Sequence, residues 1–141
     1  MIRFTIPGPA VPQGRPRLTT RGGHPHAYDP AKSREYKRLV QTVAKAAMRE
    51  HGAVMLEGPV MLSVQEFRAI PQSWSRKKRE AALEGSIFPT TKPDTSNVVK
   101  GIEDAMNGIV WHDDAQVVIT RTLKIYDEIP RVEVEVKEVE L

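Results

Sequence analysis

The 141-residue chain has no cysteine, which excludes disulfides and thiolate metal sites and makes a reducing cytoplasm the expected setting. It also lacks any run of about 18 apolar residues, so no membrane-spanning helix is expected. Arg3 and Pro7 interrupt the N-terminal segment where an apolar signal sequence would lie. Aromatic residues are scarce at 6%, yet hydrophobic residues reach 40% and charged residues 28%, the balance of a folded protein rather than a disordered one. No internal repeat or low-complexity tract is visible. The length suits one core, so residues 1–141 are expected to form a single domain.

Charge is plentiful and unevenly placed. Residues 1–50 carry ten Lys or Arg against three Asp or Glu, a local +7, whereas residues 91–141 carry six against eleven, a local −5. A basic front and an acidic back suit a polyanion-binding surface beside a cluster able to hold a metal, and suit an ordinary solvated surface equally well.

Ile2, Phe4 and Ile6 alternate with polar neighbours as a half-buried strand stopped by Pro7-Gly8. The proline- and glycine-rich VPQGRPRLTTRGGHPHAYDP that follows predicts an extended loop or irregular hairpin. Tyr36, Leu39, Val40, Val43 and Ala47 then recur at helical spacing, which predicts an amphipathic helix over 31–50. A second strand is expected over 59–68. A helix capped by Ser73 or Ser75 and ended by Gly85 comes next, then a loop at 91–94 and a helix over 95–107. Residues 117–126 and 132–136 alternate strongly and predict two strands joined as a hairpin through 127–130. Four strands and three helices without regular alternation indicate an α+β domain, its mixed or antiparallel four-stranded sheet packed against the helices.

The chemistry concentrates in KPDTSNVVKGIEDAMNGIVWHDD, residues 92–114. Asp94 precedes a helix, where it either caps the backbone or is held for another purpose. Asp113 and Asp114 follow a helix stop, as a solvated turn or as part of a site. Carboxylates brought together repel one another unless a hard cation such as Mg²⁺ or Mn²⁺ neutralises them. Lys100 either pairs with Asp104 at i,i+4 or stands over a phosphate whose developing charge it stabilises. Asn97 caps the helix or orients a carboxylate. Arg15, Arg17 and Arg21, with His24 and His26, form a cationic segment able to follow phosphates, and Lys32, Arg34, Lys37 and Arg38 add a second ridge. His24-Pro25-His26 lacks the third ligand of a zinc site. Arg76, Lys77, Lys78 and Arg79 are a further basic cluster, equally readable as an exposed helix face.

The pattern K-P-D-x-x-N-x-x-K, then D-A-x-N-G, then D-D-x-Q-V over Lys92 to Val117 resembles the RusA family of Holliday-junction resolvases. The P-x-G-R-P-R loop and the segment PQSWSRKKRE are similar to that family as well, so the likeness spans the chain. The resemblance implies a homodimeric, Mg²⁺-dependent endodeoxyribonuclease, with Mn²⁺ able to substitute, that cuts four-way DNA junctions in recombination and repair without a small-molecule cofactor. It places the catalytic roles on Asp94, Lys100 and Asp114, adds Asp104 and Asp113 as further acidic positions, puts one or two Mg²⁺ ions between Asp94, Asp114 and a third carboxylate, and puts Lys92 beside the DNA. Ser96 departs from the pattern, standing where the family usually has a second aspartate. Glu103, seven residues on and on nearly the same helix face, is the candidate to return that carboxylate. The competing readings are a junction-binding relative that lost its chemistry at Ser96, and a nuclease for other branched DNA.

Overall fold

A period of two in Ile2, Phe4 and Ile6 turns one side of a strand inward. In the computed structural model the backbone is described for residues 1–14, 17–23, 26–28 and 30–140, and the side chains of those residues except 17–19, 21 and 26–28. The opening segment is strand β1 (Ile2–Pro7), with Ile2, Phe4 and Ile6 all buried. Strands β2 (Arg17–Thr19) and β3 (His26–Tyr28) then form a short antiparallel ribbon, the hairpin that the loop composition suggested.

Helix α1 (Ala31–Glu50) has the bounds predicted from its periodicity and turns Tyr36, Val40, Ala44 and Ala47 inward. Strand β4 (Val60–Ala69) follows. Helix α2 (Arg76–Leu83) starts at Ser75, whose hydroxyl accepts from the Lys78 N–H, and stops before Gly85 at φ +83°. Helix α3 (Thr95–Met106) buries Val98, Val99, Ile102, Ala105 and Met106. A 3-10 turn (Asp114–Gln116) leads into strand β5 (Val117–Asp127), and strand β6 (Arg131–Glu138) completes the sheet.

The four-stranded sheet has the order β1-β6-β4-β5, with β4 and β5 parallel and the other pairs antiparallel. This corrects the predicted hairpin between the last two strands: β4 lies between them. The reason is in their side chains. Leu62 and Val64 of β4 are opposite Val136 and Val134 of β6 and continue the apolar core, but on the other side they face Thr120 and Thr122 of β5. Polar residues on that side of β5 fit an edge, and Val118 is 58% exposed there.

The core lies between one sheet face and the pair α1 and α3, closed by Val110 and Trp111. Each large side chain buried this fully is worth about 1.5–3 kcal/mol. The Trp111 indole N–H donates to Asn107 Oδ1 at 2.7 Å, so the D-A-x-N-G turn is pinned to the core. Among the described residues no helix is long and apolar enough to cross a membrane.

Candidate active site

Helix α3 carries the patterned residues, and its two ends differ. At the N-terminus Asp94 is in the N-cap position with extended φ and ψ, and its carbonyl accepts from the Asn97 and Val98 amides. Its carboxylate makes no capping bond and is exposed, so the ordinary explanation of an aspartate before a helix does not apply. Ser96 and Lys100 are exposed on the same helix, and Glu103 is half-buried. Positions 96, 100 and 103 fall on one side of a 3.6-residue period, opposite the buried stripe. Among the described residues no ion pair engages Lys100: neither Asp104 nor Glu103 takes it as a partner.

At the C-terminus the acidic residues crowd. Burial pushes the Glu103 carboxyl up from its ordinary value, and the nearby charges of Asp114 and then Asp104 push it the same way. Asp104 Oδ2 meets Lys37 Nζ of α1 at 3.7 Å, so Lys37, read from sequence as part of a DNA-binding ridge, is committed to an acidic partner. Lys32, Arg34 and Arg38 are exposed, as is Lys92. Glu103 therefore lies within electrostatic range of both Asp114 and Asp104. Along the helix axis nine residues of rise, about 13 Å of backbone, separate Asp94 from Glu103.

Asp113 is exposed beside Asp114. What holds this turn is Gln116. Its Oε1 accepts from the His112 and Asp113 amides at 2.8 and 3.2 Å, and its Nε2 donates to the carbonyls of Leu56 and Gly58. The glutamine of D-D-x-Q is thus a clamp that fastens the turn bearing Asp114 to the start of β4.

The residues just before the basic segment are tied to α3 and α1. The Gln13 N–H donates to the Asn97 carbonyl at 3.0 Å, and the Gly14 N–H donates to Ser33 Oγ at 3.2 Å. A Cβ at Gly14 would meet the Pro30 ring at 2.8 Å, which explains a glycine there. Asn97 thereby serves through its backbone rather than as a cap. Arg15 and His24 lie outside the described residues, as do the side chains of Arg17, Arg21 and His26. In the other basic cluster Arg76 pairs with Glu80, Lys78 sits 4.0 Å over the Trp74 ring, and Arg79 donates to the Pro71 carbonyl. Three of its four cations are therefore engaged locally.

Two cations that sequence reading passed over, Arg68 and Lys124, reach the loop before Asp94. Their signal was present: Glu66, Arg68 and Lys124 put charge on the inward side of strands, where an isolated charge is costly.

The carboxylate oxygens suit a hard divalent cation, and the mutual repulsion around Glu103 is what such an ion relieves. Among the described residues no three acidic or imidazole groups converge tightly enough to make a ready-formed cation site. The donor set is open and shared along one side of α3.

Three similarities accompany this geometry. The family model described as endodeoxyribonuclease RusA matches residues 7–137. A protein of Bacillus subtilis (strain 168), uncharacterized protein YqaN, is 46% identical over 140 residues, covering 98% of this chain and 96% of its own. The crossover junction endodeoxyribonuclease rusA of Lactococcus phage r1t is 37% identical over 82 residues, 57% of this chain and 56% of that protein.

Proposed function

This chain belongs to the RusA family of endodeoxyribonucleases, and from that premise we propose that it cuts four-way DNA junctions, acting on DNA in the cytoplasm. The observation that carries the reading is the backbone bond that ties Gln13, just before the cationic segment, to Asn97 of α3. Gln13 is two residues before Arg15 and Asn97 three beyond Asp94, so the cationic segment starts beside the helix that carries Asp94 and Lys100, and phosphates bound by its arginines would be delivered to that helix.

In this reading Asp94 and Asp114 are the catalytic carboxylates and Lys100 the catalytic cation. The uncommitted Lys100 ammonium stabilises negative charge developing on the phosphoryl oxygens. The exposed Asp94 carboxylate accepts a proton from the attacking water as its oxygen bonds to phosphorus and the bond to the leaving sugar oxygen breaks. Glu103 and Asp114, with Asp104 and Asp113 at the same end, would hold Mg²⁺ or Mn²⁺. The ion supplies Lewis-acid charge stabilisation and a more acidic bound water. A four-way junction presents two equivalent strands, so a two-fold homodimer is the matching assembly.

A second reading rests on Ser96, a hydroxyl where the family pattern carries a carboxylate. It makes the chain a junction-binding relative with little cutting. Incubation of labelled four-way junction and linear duplex with Mg²⁺ separates the two. Selective cutting of the junction supports the proposal, equal cutting of both substrates overturns junction selectivity, and tight junction binding without cutting establishes the second reading.

A further inference from the structure

Glu66 is on β4, one of the two interior strands, on the side that faces the helices, and is only 4% exposed. A buried carboxylate needs a cation, and Arg68, two residues on and on the same side of the strand, supplies it. Arg68 Nε donates to Glu66 Oε2 at 2.9 Å, and Nη2 approaches the same oxygen at 2.8 Å. The rest of the guanidinium turns to the loop before α3. Nη1 donates to the carbonyls of Thr91 and Lys92 at 2.9 and 3.2 Å and to the Thr91 hydroxyl at 3.3 Å. Nη2 donates to the Pro93 carbonyl at 3.3 Å.

Lys124, opposite Glu66 in the β4–β5 register, reaches the same loop. Its Nζ donates to the Thr91 carbonyl at 3.0 Å and to the Pro93 carbonyl at 3.3 Å. Three consecutive carbonyls, those of residues 91–93, are therefore held by two cations anchored in neighbouring strands. Thr91 and Lys92 are exposed, so little apolar packing fixes them. The next residue is Asp94.

We infer that Arg68 and Lys124 are positioning residues: they fix the backbone of residues 91–93, and through it the pose of the Asp94 carboxylate, with Glu66 holding Arg68 in place. The inference rests on the assignment of Asp94 to the cutting site. Arg68 is not a phosphate contact in this arrangement, since its side chain is 17% exposed and every guanidinium nitrogen already donates within the protein. A carboxylate displaced by about 1 Å from its working position costs on the order of 100-fold in rate.

Lys124→Met tests this, because it removes one of the two grips without leaving Glu66 unpaired, as Arg68→Ala would. Lys124→Arg keeps a donor at the same place. With Mg²⁺ and saturating four-way junction, Lys124→Met should cut about 10- to 100-fold more slowly than the parent chain, with junction Kd in EDTA unchanged within about twofold. Lys124→Arg should recover most of the rate. The independent reading is ¹⁵N relaxation of the free protein: order parameters of Lys92, Asp94 and Thr95 should fall from about 0.85 toward about 0.6 in Lys124→Met and not in Lys124→Arg. Unchanged order parameters overturn the inference, and so does lost order with an unchanged rate. If the parent chain does not cut, lost order still establishes that Lys124 fixes the loop, while the assignment of Asp94 to a cutting site falls separately.

Discussion

The two ends of α3 are built in opposite ways. At the N-terminus the Asp94 carboxylate makes no capping bond, and the protein supplies positive charge to the backbone beneath it through Arg68 and Lys124. At the C-terminus Glu103 lies within range of the charges of Asp114 and Asp104, and the counter-charge that meets this group is Lys37 against Asp104. One end is held rigid around a free carboxylate; the other keeps an electrostatic penalty at Glu103. Folding alone rewards the first arrangement and disfavours the second. A bound cation would relieve the retained repulsion, and on the proposed function the two ends take different tasks: reaction geometry at Asp94, ion capture at Glu103 and Asp114.

Single substitutions at either end separate those tasks. Asp94→Asn and Asp114→Asn should each slow junction cutting on the order of 10²–10³-fold while junction binding in EDTA is kept or strengthened, because a negative charge beside the phosphates is gone. Binding and rate curves on one junction preparation check this. Wild-type cutting by either variant removes that residue from the reaction.

The basic segment that starts near the Asp94 end gives the next effect. Replacing Arg15, Arg17 and Arg21 together by Ala should reduce the slope of log K against log salt by about 3, one unit per phosphate contact. A slope that does not move would take the loop off the DNA.

Glu103→Gln should slow cutting at limiting Mg²⁺ by about tenfold, the scale of a lost metal contact. It also has a stability signature. The carboxyl titrates higher in the folded chain than in the unfolded one, so ionising it costs more when folded. That penalty is complete above the folded pKa and absent below the unfolded value. Glu103→Gln should therefore raise the Tm of the metal-free protein at about pH 7.5 and lose that advantage as pH falls into the ordinary glutamate range. Melting curves across pH decide it, and a Tm lowered at about pH 7.5 would contradict the penalty.

Ser96→Asp is expected to have the smallest effect, a few-fold gain in cutting at limiting Mg²⁺. The new carboxylate enters near the Asp94 end, about 10 Å of helical rise from Glu103. A loss of activity would mean that Glu103 already serves the position of Ser96.

Much of this contrast was legible in the residues. The bounds of α1 follow from an apolar stripe with no breaker, and Gly85 and Asn107-Gly108 mark helix ends through turn chemistry. Strand pairing was not: a three-residue link between β5 and β6 reads as a hairpin, and only the polar, exposed Thr120 and Thr122, opposite Leu62 and Val64, betray that β5 is an edge with β4 inserted. The support under Asp94 was also missed. Arg68 and Lys124 are 56 residues apart in sequence and meet only because β4 and β5 pair in parallel register, a relation that local periodicity does not encode.

Crystals soaked in Mn²⁺, with the ion located by its anomalous scattering, test the division of labour most directly. The account predicts a peak within about 2.1 Å of carboxylate oxygens of Glu103 and Asp114. A peak bound by Asp94 alone, with none at Glu103 and Asp114 in protein that cuts junctions, would contradict it.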